Sequence, residues 1–286
     1  TVDIIPIQME FQRGTPYGVF MMERGYQASF ILGLTLLDPW MQELRTSRIP
    51  TVLYDNYIKE NPNVASVGCD SQEGFELAVK HLTKLGHKKI GLISGPLESY
   101  ILKARYNAYL SAMDRFGLEI NERYIGLGYY VNDSTKKYIP QLLREGVTAI
   151  LFSHDVRAIS AITECDDRGI RIPEDLSIIG FDDLPMTAHT TPPLTTIQQD
   201  RIALGKCGFY ALSSLLNHVA IGSILLRAQL ILRDSTGPVA PQIGPMNPRA
   251  LPQEPDKATS QTYPANLPAP ALSKPEHHTD QAGQFT

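Results

Sequence analysis

The most constraining feature of this sequence is a regular alternation of short apolar runs and amphipathic segments over residues 70–200. Apolar runs of strand length, such as Lys89–Ser94 and Val147–Ser153, are separated by segments whose apolar residues recur at helical spacing. A glycine follows most of these helical segments, as at Gly86, which is typical of a helix end. Strands that alternate with amphipathic helices predict a doubly wound α/β fold with parallel sheet.

The two ends of the chain are less regular. Gly and Pro interrupt every candidate element in the first thirty residues, so we predict an irregular N-terminal segment over residues 1–30. Phe30–Leu37 is an apolar run of buried-strand type, and Ser223–Arg233 predicts one further strand. Residues 238–286 are rich in Pro and poor in large apolar groups, which predicts a disordered tail.

Composition and charge narrow the class of protein. The 286 residues are 43% hydrophobic and 20% charged, which is ordinary for a globular protein, and the net charge of −4 argues against a chain built mainly to bind nucleic acid. The sequence shows neither a bilayer-length apolar run nor a secretory signal, so we expect a cytoplasmic protein without membrane partners. Cys69, Cys165 and Cys207 are odd in number and far apart, which indicates buried, reduced thiols.

Motifs of the common enzyme classes are missing from the sequence. There is no nucleophile elbow, no zinc-binding H-E-x-x-H helix, no C-x-x-C pair and no phosphate-binding P-loop. We therefore predict a protein without catalytic residues, cofactor or metal.

One stretch carries the polar residues that are best placed for binding. Asp182 and Asp183 directly follow the strand-like run Leu176–Phe181, and a second short run, Leu194–Ile197, leads to Gln198 and Gln199. In open α/β sheets, ligands bind outside the carboxyl ends of the strands. The stretch therefore predicts a site for a polar ligand at this edge of the sheet.

Seven short strings, taken together, are typical of one protein family. They are Val67–Asp70, Leu85–Ile90, Ser94–Leu97, Gly169–Asp175, Gly180–Asp183, Pro192–Ile197 and Leu232–Thr236. Their order and spacing, over roughly residues 31–237, resemble the effector-binding core of LacI/GalR-type transcription repressors.

The resemblance implies two Rossmann-like subdomains with parallel sheets, of the periplasmic-binding-protein-like type I, which close around a small ligand. Its N-terminal effector-binding subdomain would comprise residues 31–86 plus 198–218, and its C-terminal subdomain residues 87–197 plus 219–237. The chain would pass between them near Gly86-His87, near Gln198 and near residues 217–222. The stretch before Phe30 is short for this fold, which leaves room for an incomplete first subdomain.

The resemblance also points to five ligand-binding residues. Arg105 would donate hydrogen bonds in the cleft, although it could instead be a surface arginine whose stem covers apolar surface. Asp182 would accept from ligand hydroxyls or, alternatively, form a turn. Gln199 lies at a subdomain passage, and Asp70 at a cleft-facing position that a helix cap also explains. His154 replaces a frequent Asn and could contact ligand or make a structural hydrogen bond. The resemblance assigns no such role to the neighbouring Asp183, which we interpret as structural.

By resemblance, the partners are a small effector, a second copy of the chain and operator DNA. The helix Asp155–Arg168, the loop Leu184–Thr191 and the helix Gln72–Leu85 would contribute to a homodimer interface, or else simply pack on their own sheets. Operator DNA would be reached only through a helix-turn-helix domain, which this chain lacks.

The functional hypothesis is therefore a ligand-sensing core of a transcription regulator that binds a polyhydroxylated effector, a sugar rather than a purine. An alternative is a periplasmic-type sugar-binding protein for transport or signalling, since it shares the fold. A second alternative is a rearranged core that folds poorly and binds nothing.

Overall fold

Two β-sheets, between which the chain passes three times, organise the described part of the molecule. The computed structural model describes residues 2–7, 14–59 and 61–239. One compact unit, Thr1–Pro252, contains both sheets. The predicted disordered tail, residues 238–286, lies outside the described residues from position 240 onward.

Strands and helices alternate along most of the chain. The strands are β1 (Ser29–Ile31), β2 (Thr51–Tyr54), β3 (Val64–Cys69), β4 (Ile90–Ser94), β5 (Ile125–Leu127), β6 (Ala149–Phe152), β7 (Ser177–Asp182), β8 (Thr195–Gln198), β9 (Ser223–Leu226) and β10 (Gln229–Ile231). The helices are α1 (Tyr17–Glu23), α2 (Pro39–Glu43), α3 (Ser71–Lys84), α4 (Tyr100–Arg115), α5 (Val131–Arg144), α6 (Asp155–Asp167) and α7 (Arg201–Leu216). Short 3-10 turns cover Glu122–Tyr124 and Pro185–His189.

The first sheet has the strand order β1-β2-β3-β9, and its neighbouring strands are all parallel. Side chains alternate between its faces, as the pleat requires. Val52 and Val67 pack under α7, whereas Leu53 faces the opposite side, where the tilted rings of Trp40 of α2 and Tyr17 of α1 lie 5.2 Å apart. Both faces of the central strands are therefore buried.

The second sheet is larger, with the strand order β10-β8-β7-β6-β4-β5. Only β10, among its described strands, is antiparallel to its neighbour. Helices α3 and α4 cover one face and α5 and α6 the other, so the inner strands are apolar on both sides. Two parallel sheets with helices on both faces confirm the predicted α/β fold of the periplasmic-binding-protein-like type I.

Three passages of the chain, which we call the crossings, connect the two sheets side by side. The first leads from β3 through Asp70 to α3, the second from β8 through Gln199 to α7, and the third from β9 through Arg227 to β10. The N–H of Asp70 donates to the carbonyl of Leu226 at 2.8 Å, which joins the first and third crossings. The thiol of Cys69 donates to the carbonyl of Gln198 at 3.9 Å, which joins the first and second.

The first crossing does not lie near Gly86-His87, where the resemblance places it. Helix α3, assigned to the first subdomain as part of residues 31–86, packs on the second sheet instead, with the ring of Phe75 5.9 Å from that of Phe181. An amphipathic pattern identifies the apolar face of a helix but not the sheet that the face covers. The crossing therefore occurs at Asp70, at the start of the helix.

The predicted single strand over Ser223–Arg233 is two strands in two sheets. Strand β9 pairs with β3 in the first sheet, and β10 pairs with β8 in the second. Residues 223–226 therefore belong to the first sheet, although residues 219–237 are predicted to lie in the second subdomain, and the third crossing falls at Arg227 rather than within residues 217–222. No Gly or Pro marks this break in the apolar run.

The predicted irregular segment, residues 1–30, contains α1 and the start of β1. Burial of Tyr17 explains this order: its hydroxyl is hydrogen-bonded to the hydroxyls of Ser29 at 2.9 Å and Thr51 at 2.7 Å. The strand predicted over Phe30–Leu37 ends at Ile31, because the chain turns at Gly33, whose φ of +79° favours glycine.

Candidate functional site

The candidate site lies where strand ends of both sheets meet beside the crossings. Asp55 follows β2 of the first sheet, and Asp182 ends β7 of the second. The charges of Arg105 and Asp182 both act on the pKa of Asp55, so the three side chains are electrostatic neighbours. Asp55 and Tyr57, which follow β2, and Tyr100, at the start of the helix that follows β4, line one cavity, so carboxyl ends of strands in the two sheets face a common cleft.

Arg105 is buried in this cleft and is not a surface arginine. Its side chain is 4% exposed, and Nη2 donates to Asp182 Oδ1 at 3.2 Å. Nη1 donates to the carbonyl of Ser153. The guanidinium carbon lies 3.8 Å from the ring centroid of Phe181, as in a cation–π contact. Helix α4 thus holds a positive charge against the ends of β6 and β7.

Asp182 joins Arg105 to the second crossing. Its Oδ1 also accepts a hydrogen bond from Gln199 Nε2 at 2.6 Å. Its backbone has a φ of +120°, which L-residues rarely adopt and which is found mainly at functional or strained positions. The structure therefore brings together three of the five predicted ligand-binding residues, while ligand contact itself stays a prediction.

Asp183 has a structural role, in line with its interpretation from the sequence. Its Oδ1 accepts from Arg233 Nη2 at 2.6 Å, and its Oδ2 accepts from Gln198 Nε2 at 2.8 Å. Arg233 also donates to the carbonyl of Leu194 at 2.7 Å. These bonds tie the end of β7 to β8 and to the chain that follows β10.

Asp55 is a cleft residue that the sequence reasoning missed. Its φ is +53°, and its Oδ1 is buried without a hydrogen-bond partner among the described residues. Burial raises the pKa of this carboxyl, the charge of Arg105 lowers it, and the charge of Asp182 raises it. A sequence signal was available, because Asp55 follows the strand-like run Pro50–Tyr54 as Asp182 follows its own run.

A cavity of about 220 Å³ opens between the ends of β2 and β3 and helix α4. The rings of Tyr57 and Tyr100, one from each subdomain, lie 6.2 Å apart at this cavity. Its polar lining comprises Asp55, Asn56, Asp70, Ser71, Gln72 and Asn107. The cavity thus combines aromatic faces with hydrogen-bonding groups, which is a common composition for a small-ligand site.

Asp70 caps α3 and also lines this cavity. Its Oδ1 accepts the N–H of Glu73 at 3.0 Å, as the capping pattern predicts. Glu73 in turn accepts from Arg227 Nε at 2.6 Å and from the N–H of Ala228 at 2.9 Å. The first turn of α3 is therefore hydrogen-bonded to the third crossing through Glu73. Ligand contact by Asp70 stays a prediction.

His154 is the N-cap of α6, since its Nδ1 accepts the N–H of Arg157 at 3.3 Å. Burial, with the charges of Arg157 and Arg105, lowers the pKa of His154 to about 4. The imidazole is therefore neutral at physiological pH. This geometry favours the structural alternative for His154, and contact with ligand through Nε2 stays a prediction.

Asp155 is a fully buried carboxyl beneath the loop that follows β7. Its Oδ1 accepts from Thr196 Oγ1 at 2.6 Å, and its Oδ2 accepts the N–H of Leu184 at 2.8 Å. Burial raises its pKa to about 7, and the two hydrogen bonds oppose that shift. A Cβ at Gly180 would collide with Asp155 Oδ1, so glycine is required at that position.

Arg157 is a buried arginine whose described hydrogen bonds all go to uncharged acceptors. It donates to Ser134 Oγ, to the carbonyl of Gly128 at 3.0 Å and to that of Tyr130 at 3.5 Å. Burial lowers its pKa. Arg157 thereby fixes the turn between β5 and α5. This turn holds the exposed rings of Tyr129 and Tyr130 at the carboxyl end of β5.

The described residues offer neither a metal cluster nor a membrane span. Within the described ranges, no three His, Cys, Asp or Glu side chains are grouped so as to hold a metal ion. No helix in that part of the chain is both long and apolar enough to cross a bilayer. Cys69 and Cys165 are buried free thiols, and burial raises the pKa of each to about 12.

Comparison with known proteins shows several related proteins. A family model described as a periplasmic binding protein-like domain matches residues 79–236. The HTH-type transcriptional repressor CytR of Escherichia coli strain K12 is 34% identical over 211 residues, which cover 72% of this chain and 61% of CytR. The HTH-type transcriptional repressor PurR of Haemophilus influenzae strain PittEE is 35% identical over 196 residues, which cover 66% of this chain and 58% of PurR.

The fold is also similar to solved structures. The crystal structure of a LacI family transcriptional regulator from Enterococcus faecium, with bound ribose, aligns with a TM-score of 0.68 and 25% identity. The alignment covers 77% of this chain and 83% of the regulator. By contrast, the chain spans less than two thirds of the length of either repressor.

Proposed function

The chain belongs to the periplasmic binding protein-like family and has an effector-binding core of the LacI/GalR type, and from this we propose that it senses a small polyhydroxylated effector for a transcription regulator. The effector would bind in the cleft between the two sheets. The observation that carries the proposal is the chain of contacts from Arg105 through Asp182 to Gln199, because it connects a cleft wall directly to a crossing.

A sugar suits this cleft better than a purine. Ring hydroxyls pair well with carboxylates such as Asp55, which lines the cavity, and Asp182, which is 24% exposed at the end of β7. The apolar faces of a sugar pack on aromatic rings such as Tyr57 and Tyr100. The related regulator from Enterococcus faecium has ribose bound. A purine would use the same rings for stacking, but it offers fewer hydroxyl donors to the two carboxylates.

The proposed output is a change in the angle between the two sheets. A ligand shifts such an equilibrium only by its difference in affinity for the open and closed arrangements. An effector bridging Asp55 and Asp182 touches both sheets at once and therefore binds the closed arrangement better. Gln199 then passes the change to α7 through the second crossing.

We propose that the core acts as a homodimer. Val156 on α6 and Met186 in the loop 184–191 are 48% and 54% exposed, and both lie in segments predicted for the interface. Exposed apolar side chains in such segments fit burial against a second copy. The relatives named above are HTH-type repressors, so operator DNA would be contacted through a helix-turn-helix domain outside this core, in the cytoplasm. No catalytic step is part of this proposal.

The alternative function is sugar binding for transport or signalling, which would use the same cleft. The similarity to two repressors, rather than the cleft itself, favours regulation. Binding of operator DNA by the complete protein, released or strengthened by the effector, would distinguish the two functions.

A thermal-shift screen against sugars and nucleosides tests the proposal. A compound that binds the folded state raises the melting temperature in a concentration-dependent manner. Asp182→Asn should weaken that compound by about 1.5–3 kcal/mol, the typical loss for a hydrogen bond to a charged group. Asp114→Asn, on the exposed side of α4, is the matched control. Unchanged affinity in Asp182→Asn would show that the site is elsewhere.

A further inference from the structure

Two carboxylates of the cleft, Asp55 and Asp182, keep hydrogen-bond acceptor atoms that no described protein group uses. Asp55 Oδ1 is buried and has no partner among the described residues. Asp182 accepts both of its described side-chain hydrogen bonds with Oδ1, and its side chain remains 24% exposed. The two carboxylates therefore retain acceptor capacity that an effector can satisfy.

The donors beside Asp182 are largely used by the protein itself, whereas the Ser71 hydroxyl at the cavity is buried without a partner among the described residues. Both terminal nitrogens of Arg105 donate, one to Ser153 and one to Asp182. Gln199 uses its Nε2 for Asp182. Only Nε of Arg105 is buried without a partner on that side chain. The guanidinium of Arg105 is thus committed to a carboxylate and to a backbone carbonyl, and that of Arg201 donates to the carbonyls of Asp182 and Asp183.

The formal charges of the cleft give the same result. Three carboxylates, Asp55, Asp70 and Asp182, face two arginines, Arg105 and Arg201, of which Arg201 donates to the carbonyls of Asp182 at 3.3 Å and Asp183 at 3.2 Å. The formal balance is therefore negative while Asp55 is ionised. A phosphate ester would bring a charge of about −1.5 to −2 into this setting. Because Asp182 is 24% exposed at the cleft, the repulsion would act through partly solvated space, where salt screens it in part.

We propose that the cleft selects an effector that is rich in hydrogen-bond donors and carries no negative charge, and that it rejects the phosphate ester of the same compound. The preferred class is an unphosphorylated sugar, including amino sugars and the ribose of nucleosides. This inference rests on the proposed function and adds its chemical selectivity. Asp55 is the residue that sets the selectivity, because its unpartnered oxygen is buried in the cleft wall.

The test uses matched pairs of compounds with the full chain. Ribose is compared with ribose 5-phosphate, glucose with glucose 6-phosphate, and cytidine with cytidine 5′-monophosphate, by thermal shift and titration calorimetry. We expect an unphosphorylated member to bind and its phosphate ester to bind at least about tenfold more weakly, a difference of about 1.4 kcal/mol. Asp55→Asn should narrow this gap, whereas Asp114→Asn should leave it unchanged.

Each outcome decides a different point. A phosphate ester that binds as tightly as its parent compound refutes the selectivity and leaves the proposed function standing. Failure of all six compounds to bind refutes the proposed function for these classes. An unchanged gap in a folded Asp55→Asn variant removes Asp55 from the explanation.

The unmodified chain supplies a second measurement if Asp55→Asn does not fold. The gap between a compound and its phosphate ester should shrink as ionic strength rises from about 0.01 M to about 0.5 M, because salt screens the repulsion. A gap that does not respond to salt would show that exclusion of the phosphate is steric and would overturn the electrostatic explanation.

Discussion

Two adjacent residues, His154 and Asp155, should make opposite contributions to the pH dependence of stability. Both lie in the first turn of α6, and burial is the largest cause of both pKa shifts. The pKa of His154 falls from 6.5 to about 4, and that of Asp155 rises from 3.8 to about 7. We therefore predict that the two contributions largely offset each other in the unmodified protein and that replacing either residue reveals them.

The sign follows from which state binds more protons. Between pH 6.5 and about 4, unfolded His154 is protonated while the folded residue is neutral, so its contribution to stability is lost as the pH falls. This pKa difference corresponds to about 3 kcal/mol. Asp155 behaves in the opposite way, because the folded residue holds a proton that the unfolded one releases. Its contribution is complete below pH 3.8 and is lost as the pH rises to about 7, which corresponds to about 4 kcal/mol.

Urea unfolding at a series of pH values between 4 and 7 measures the free energy of unfolding of each variant. The difference from the unmodified protein is the contribution that the substitution removes, so Asp155→Asn should lose about 4 kcal/mol of stability relative to the unmodified protein as the pH falls across this range. In the same comparison, His154→Asn should lose about 3 kcal/mol as the pH rises. Titrating groups that are distant from both residues contribute equally to all variants and cancel in the comparison. The matched control is Asp166→Asn, an exposed position near the end of α6.

The comparison concerns the slope with pH, so a constant loss of stability caused by either substitution does not affect it. Parallel profiles for the two variants and the unmodified protein would refute the reasoning. Such a result would mean that both side chains are solvated well enough to titrate at ordinary pH values.

Three further predictions follow from buried contacts. Arg157→Met should destabilise the fold by about 1–3 kcal/mol by leaving acceptors unpaired, and hydrogen exchange should accelerate in residues 128–134, whereas the partly exposed Arg168→Met on the same helix should leave that exchange unchanged. Gly180→Ala should cost about 1–3 kcal/mol through its collision with Asp155, measurable by urea unfolding, and an unaltered midpoint would contradict the close packing seen there. In a thiol-labelling experiment, the half-exposed Cys207 should react first and Cys69 and Cys165 only on unfolding, since burial suppresses their thiolates; equal rates would contradict this order.

The alternation of strands and helices was readable from the sequence because each element carries its own period. Which sheet an element joins is decided by long-range packing, and no local pattern records it. Helix α3 shows this, since its apolar face was evident while its position on the second sheet was not. The division of the run 223–233 between two sheets has the same origin.

The contact among three site residues was predictable only through the family resemblance, which assigns Arg105, Asp182 and Gln199 to the cleft. These side chains contact one another, and their contact with a ligand stays a prediction. Asp55 was missed because an acidic residue after a strand is usually a turn former, and only the facing sheet makes it a buried carboxylate. Arg157 was missed because arginine is expected at the surface, and its uncharged partners are distant in the sequence.

The hydrogen bonds between the crossings limit how the two halves of the molecule can move. The three crossings are hydrogen-bonded side by side, as Asp70 is to Leu226 and Cys69 to Gln198, and do not move independently. Segments joined in this way can bend together, but they resist sliding past one another and stretching. We therefore expect one soft mechanical direction, a rocking about a line through the three segments. An effector in the cleft would then need only to arrest this single oscillation, and the entropic cost of its binding would be correspondingly small.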